Sequence, residues 1–243
     1  MSCFESPLTR KLTAFVALAS DDLEVLASLD RRRRTFPAKR EIVQEGQCNK
    51  SAYILESGWA FSFKLLPNGE RQIIDFHVPG DVLGLRSLLF RRSDHGVEAV
   101  TRVEAAEVLL SDTLSCFAQA PRLATAVLWA AAREEALVVE HLVDLGRRSP
   151  QSRMAHFLLE MGARLKLVGI GDETGFDCPL TQYHLADALG LSAIHVNRIL
   201  RRLRQDGLVS FQKRRVGFNH LKSLKDFAGF SPDYLDQEGP LLQ

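Results

Sequence analysis

The residues best equipped for chemistry lie near the C-terminal end of the chain. Arg198 carries a guanidinium fork that can bond guanine O6 and N7 together, and Asn197 a carboxamide that can pair with adenine or hold a phosphate. Lys213 and Arg214 fall in a short basic stretch, QKRR, whose charges suit phosphate oxygens. Between residues 179 and 220 seven Lys/Arg (Arg198, Arg201, Arg202, Arg204, Lys213, Arg214, Arg215) face two acids, Asp187 and Asp206, for a net +5. The rest of the chain carries −4, so the overall +1 conceals a basic block on an acidic remainder. Such a block is the electrostatic footprint of a polyanion-binding module; the plainer reading is a solvated Arg-rich helix face.

Base edges are reached by a rigid element that fits a major groove. The stretch from Thr181 to Leu200, TQYHLADALGLSAIHVNRIL, predicts two short helices about a turn. Ala186 is small enough for the helices to approach, and Gly190 tolerates the left-handed turn between them. Leu185, Leu189, Leu191, Val196 and Ile199 form their shared core, and Ser192 is placed to cap the second helix. The outer face of that second helix then carries Ala193, Ile194, Asn197 and Arg198, with His195 at its margin. Thr181 caps the first helix, whose N-terminal amides suit a phosphate oxygen. The ribbon that follows, Val209 to Phe218, predicts two strands about a turn at Lys213–Arg215, a wing whose cations face phosphates.

Upstream, Ser149-Pro150 is a helix start, with Ser as cap and Pro in the first turn, and Met154, Phe157, Leu158, Met161 and Leu165 give that helix an apolar face. Residues 121–145 lack Gly and interior Pro and predict one long helix. Its stripe of Leu128, Ala131, Val138, Leu142 and Leu145 follows 3–4 spacing and suits a two-helix dimer seam. Between 35 and 111, glycines at 46, 58, 69 and 80 punctuate β-rich stretches at 51–55, 60–65, 72–78 and 104–110, the pattern of a β-sandwich or barrel. Pro67-Asn68-Gly69 is a hairpin turn, and Ser20-Asp21-Asp22 reads as the N-cap of a short amphipathic helix.

Other chemistries are poorly supplied. Region 35–111 holds two histidines, His77 and His95, without an H-x-H pair, and Pro79-Gly80 turns the His77–Asp81 spacing into a bend, so neither a metal site nor an enzyme is expected. The four cysteines (Cys3, Cys48, Cys116, Cys178) are far apart and read as reduced thiols. MSCFESPLTRKL lacks the apolar stretch of a secretory signal and no run approaches a membrane span, so a cytoplasmic location is expected.

The order of parts resembles the Crp/Fnr superfamily of bacterial transcription regulators over roughly residues 15–225. The stretches REIVQEGQ, LESGWAF, LPNGERQI and PGDVLGL resemble that family's β-roll, and LTQYHLADALGLSAIHVNRILRRLRQDGLVSF its winged helix-turn-helix. The resemblance implies an α+β chain with an N-terminal β-roll (jelly-roll, cyclic-nucleotide-binding-like) sensor domain at 1–120, a dimerisation helix at 121–146 and a winged helix-turn-helix at 147–243. It implies a homodimer that reads a two-fold-related site on double-stranded DNA and recruits or blocks RNA polymerase. The family's cyclic-AMP binders use a Gly-Glu-Leu motif and a downstream Arg-Ser pair; here the first is Gly84-Leu85-Arg86 and the second falls one position off, at Arg92-Ser93. Cyclic AMP is therefore not the expected effector, although Arg86, Arg91, Arg92 or His95 could bind another anion. A single N-terminal Cys3 disfavours an iron–sulfur cluster, and His77 as a haem ligand is the weaker reading beside its ending a strand; no cofactor is predicted. The recognition helix carries Ile194 where the family often has a Glu, which leaves Arg198 as the base-reading residue that carries over. The competing function is a small-molecule-binding β-roll protein whose C-terminal domain docks another protein.

Overall fold

The computed structural model describes residues 6–48 and 50–236; Cys3 lies outside them. Two N-terminal helices come first, α1 (Pro7–Thr13) and α2 (Ser20–Ser28). The expected Ser20 cap is not used. Helix α2 starts at Ser20 itself, and Asp22 reaches back to accept the Ala19 N–H at 3.0 Å, which satisfies an orphan donor from inside the first turn.

Eight strands follow: β1 (Arg33–Phe36), β2 (Glu41–Val43), β3 (Ser51–Ser57), β4 (Ala60–Leu65), β5 (Arg71–His77), β6 (Val82–Leu83), β7 (Gly96–Ala99) and β8 (Val103–Leu109), with helix α3 (Leu85–Leu89) before β7. They pair antiparallel in two sheets, β1-β8-β3-β6 and β2-β7-β4-β5. The apolar residues of alternating strand positions, among them Val43, Leu55, Ala60, Leu83, Val97 and Val103, fill the space between them. Gly58 is required where β3 turns into β4. Its φ is +89°, and a Cβ there would lie 2.2 Å from the Arg102 carbonyl oxygen. The Pro67–Gly69 turn joins β4 to β5 as the sequence indicates.

Helix α4 (Leu110–Gln119) leads into α5 (Pro121–Gly146), whose 26 residues span about 39 Å. One side of α5 buries Leu123, Ala126, Trp129 and Leu137. Beyond Gly146 the Ser149 hydroxyl accepts the Ser152 N–H at 3.2 Å and starts α6 (Pro150–Leu167), whose expected apolar face is buried throughout. Then come β9 (Gly171–Asp172), β10 (Gly175–Asp177), α7 (Gln182–Leu189), α8 (Ala193–Gln205), β11 (Val209–Gln212), β12 (Arg215–Phe218) and α9 (Leu221–Ala228). The last sheet runs β11-β12-β10-β9, so the wing has four strands where two are legible in the sequence.

The second half does not hang free. Phe76 of β5 packs on Phe157 of α6 with ring centroids 5.6 Å apart, and one buried cluster runs from Phe61 and Phe76 through Met154 and Leu158 to Leu185 and Ile199.

Candidate nucleic-acid interface

Helices α7 and α8 cross through a core of buried Leu185, Ala186, Leu189, Val196 and Ile199, with Leu191 half-buried. Thr181 spends its hydroxyl on the cap of α7, accepting the His184 N–H at 3.3 Å, while its own N–H donates to His184 Nδ1 at 3.2 Å. Gly190 sits at φ +61° and turns the chain, and the Ser192 hydroxyl accepts the His195 N–H at 3.2 Å to start α8. Val196, Ile199 and Leu203 point inward, so Ile194, His195, Asn197, Arg198 and Arg201 face solvent, with Ala193 half-buried at the first position. Ile194 is 75% exposed, unusual for a large apolar side chain on an otherwise charged helix face.

Asn197 is not a free side chain. Its Nδ2 donates to Gln182 Oε1 at 2.6 Å, a contact between α8 and the first residue of α7 that the sequence reading lacks. The wing tip is tighter than expected. Lys213 and Arg214 form a two-residue turn with φ +49° and +61°, and Arg215 belongs to β12, where its guanidinium lies 3.3 Å from Asp177. The Arg214 carbonyl accepts the Cys178 N–H at 2.7 Å, which pins the strained turn from the neighbouring segment. Among the described residues, Arg198, Arg201, Arg204, Lys213 and Arg214 have no carboxylate partner, whereas Arg202 is held by Asp206 at 2.9 Å.

On α5 the residues of the expected seam face outward: Leu128 is 64%, Val138 47%, Leu142 70% and Leu145 39% exposed. Val139 and Val143 extend the stripe; their valines were legible but their face was not. Ala131 is half-buried instead and lines a cavity.

That cavity, about 550 Å³, lies between the β-roll and α5. Ser62, Lys64, Asp75, His77, Arg86, Asp94 and His95 line it from the roll, and Ala131, Glu134, Glu135 and Val138 from the helix. Its cations are committed: Arg86 pairs with Asp94 at 2.8 Å and Lys64 with Glu45. Arg92 turns away and donates to the Gly46 carbonyl at 2.9 Å, while Ser93 pairs with Ser87. His77 ends β5 as expected, and burial lowers its pKa and keeps the ring neutral. Burial also pushes the Glu134 carboxyl up to about 7. Cys116 and Cys178 are buried free thiols, and burial pushes Cys178 up to about 12; Cys48 is exposed.

A buried charge network joins the cavity wall to α6. Arg164 of α6, 3% exposed, donates to Asp75 at 2.8 Å, to Asp81 at 2.9 Å and to the Phe76 carbonyl at 2.8 Å. Lys11 of α1 completes Asp81 at 2.8 Å. His141 of α5 bonds the Ile74 carbonyl at 3.1 Å and Glu160 at 3.0 Å. Burial alone would lower its pKa, but Glu160 and Asp75 raise it to about 9, so both ring nitrogens donate. Asp75, His141 and Glu160 have a metal-like spacing, but each is already hydrogen-bonded within the protein, Asp75 by Arg164, His141 to the Ile74 carbonyl and Glu160 by His141 and Tyr234. Residues 234–235 close the network: Tyr234 donates to Glu160 at 2.8 Å, and Arg133 to the Leu235 carbonyl at 2.6 Å. None of these partners is evident in the sequence.

Two family descriptions match the chain, a cyclic nucleotide-binding domain over residues 33–127 and a Crp-like helix-turn-helix domain over residues 152–227. The chain belongs to the Crp/Fnr superfamily. It is 31% identical over 180 residues to the nitrogen fixation regulation protein FixK of Bradyrhizobium diazoefficiens, covering 74% of each chain. With the transcriptional activator protein Anr of Pseudomonas aeruginosa the identity is 23%, over 88% of this chain and 86% of that one. Among solved structures, FixK2 of Bradyrhizobium japonicum superposes with a TM-score of 0.73 at 27% identity, covering 82% of this chain and 98% of that one. A CooA mutant of Carboxydothermus hydrogenoformans, at 15% identity, shares the fold with a TM-score of 0.68, over 89% of this chain and 99% of that one. This Crp/Fnr chain is accordingly a DNA-binding transcription regulator built from a β-roll, a long helix and a C-terminal winged helix-turn-helix. Among the described residues no helix is long and apolar enough to cross a membrane.

Proposed function

We propose that this regulator acts as a cytoplasmic homodimer and is not an enzyme. Residues 1–120 serve as sensor, 121–146 as the dimer helix and 147–243 as the reading domain. Two copies join along the outer α5 stripe of Leu128, Val138, Leu142 and Leu145, with Ala131 at its edge, and read a two-fold-related site whose half-site centres are about 34–36 Å apart. Thr181, Ser192, Ala193, His195, Asn197 and Arg198 form the groove face, and Lys213 and Arg214 contact phosphates. RNA polymerase is the partner that family membership suggests. The effector is not cyclic AMP: Arg86 is paired with Asp94 and Arg92 turns away to the Gly46 carbonyl, so neither stands ready for a cyclic phosphate.

The observation that carries the reading is the outward face on which Arg198, Arg201, Arg204, Lys213 and Arg214 stand without carboxylate partners among the described residues. Cations held on a rigid helix and a pinned turn, not neutralised from within, are what displaces counterions from a duplex. The test is a set of salt titrations on a selected and a scrambled duplex. Arg198→Ala should cost about 1–3 kcal/mol on the selected site alone. Lys213→Ala should weaken both duplexes and reduce the salt slope by roughly one unit. Equal weakening of both duplexes by Arg198→Ala would make Arg198 a phosphate contact and sink the assignment.

A further inference from the structure

The reading face of α8 lacks an acidic residue, and its one carboxamide is engaged with α7. Asn197 Nδ2 bears two hydrogens. One goes to Gln182 Oε1 at 2.6 Å, and on this exposed residue beside Arg198 the carbonyl oxygen and second N–H have no hydrogen-bond partner among the described residues. A carboxamide with one free N–H and one free carbonyl matches the N7 acceptor and N6 donor of adenine, provided its plane is held. An exposed Asn rotates freely about its last torsion, so holding that plane needs a second anchor. Gln182 supplies it from a different helix. Its own position is fixed by the Thr181 cap before it and the buried Leu185 after it.

We propose, resting on the DNA-regulator reading above, that Gln182 is a positioning residue for base recognition. It holds Asn197 in the orientation that reads an adenine adjacent to the guanine read by Arg198, and Ile194 adds a contact to a thymine methyl.

The spacing fits. Asn197 and Arg198 are both exposed and lie about 1.5 Å apart along the helix axis, so both reach the same stretch of groove edge. Ile194 precedes them by three and four residues, one turn away on the same face. An apolar side chain 75% exposed among Arg and Asn gains nothing in water, and a thymine C5-methyl is the one apolar group a major-groove edge presents.

The experiment selects duplexes from a randomised pool with the full-length wild type, Gln182→Ala, Gln182→Glu and Ile194→Ala. Half-buried Gln182 and exposed Ile194 can be changed without disturbing the core, which equal melting temperatures verify. The wild type should enrich a half-site with adjoining guanine and adenine. Gln182→Ala should flatten the adenine preference by about ten-fold while the guanine preference survives. Gln182→Glu keeps the acceptor and should restore that preference, although its charge lowers affinity for every duplex. Replacing that adenine by 7-deazaadenine, which removes N7, should weaken the wild type and leave Gln182→Ala unchanged. Uracil in place of thymine should weaken the wild type but not Ile194→Ala. An adenine preference unaltered in Gln182→Ala overturns the inference and leaves the regulator reading intact. Failure of the wild type to enrich any sequence overturns both.

Discussion

Arg164 is the side chain whose loss should be felt most widely. It is 3% exposed, and its two terminal nitrogens serve Asp75, Asp81 and the Phe76 carbonyl. Arg164→Met keeps much of the volume and removes the charge. Asp81 retains Lys11 at 2.8 Å, so the carboxylate left uncompensated is chiefly Asp75. Breaking a buried pair from one side costs about 3–5 kcal/mol, set against a total stability of roughly 5–15 kcal/mol for a folded domain. Urea unfolding monitored by Trp59 and Trp129 fluorescence should therefore show a much lower midpoint. Adding Asp75→Asn should recover about half of the loss, because an amide needs no counter-charge. A loss below about 1 kcal/mol for the single variant, or no recovery in the double, would mean that water already serves Asp75 and that the network does not bind α6 to β5.

Three further outcomes follow from other parts of the molecule. Leu142→Asp, at a position 70% exposed in one protomer, should leave the protomer folded and shift it to monomer in sedimentation velocity; an unchanged dimer would remove the α5 seam. Arg214→Gly should relieve the left-handed turn at φ +61° and raise stability by about 1 kcal/mol while lowering DNA affinity at low salt; a loss of stability would count against strain there. His141 has a folded pKa of about 9 above an unfolded value of roughly 6.5, so its contribution is complete below the lower value and is lost as pH rises through the higher. Stability should fall by on the order of 1–3 kcal/mol between those limits, and His141→Gln should remove that slope in pH-dependent urea titrations.

The helix-turn-helix was legible because its requirements are local. A small residue at 186, a glycine at 190 and a cap at 192 each act within a few positions of themselves, and all three do so in the fold. The strands at 33–36, 41–43 and 96–99 were not read, being three or four residues long with charges on the exposed side. Arg215 was assigned to the wing tip because a basic run does not say which of its members faces a strand partner; Asp177 decides it, 38 residues away. The same limit hides Gln182 beneath Asn197 and Asp75 beneath Arg164. Nothing in ARLKL marks Arg164 as buried until β5 docks against it. The Tyr234–Asp236 segment carries no periodicity, and its place comes from hydrogen bonds to Glu160, Arg133 and Trp129.

Strand β5 gives these distant contacts a common axis. At its C-terminal end Asp75 and His77 line the cavity. At its N-terminal end Arg71 holds Asp187 of α7 at 2.8 Å, and Gln72 donates to the Ala188 carbonyl at 3.2 Å. Seven residues of strand span about 23 Å, and β5 is paired with β4 on both sides of one register shift, at Ile74. Between its ends, Arg164 and His141 bond its backbone and side chains from α6 and α5. Displacing β5 would stretch buried contacts to α6 and α5 and a part-exposed ion pair to α7. Water cannot soften the buried contacts to α6 as it would on the surface. The residues that depart from the family's nucleotide motifs, Leu85 and Arg86, line the cavity from outside this strand, which keeps its grip on α7.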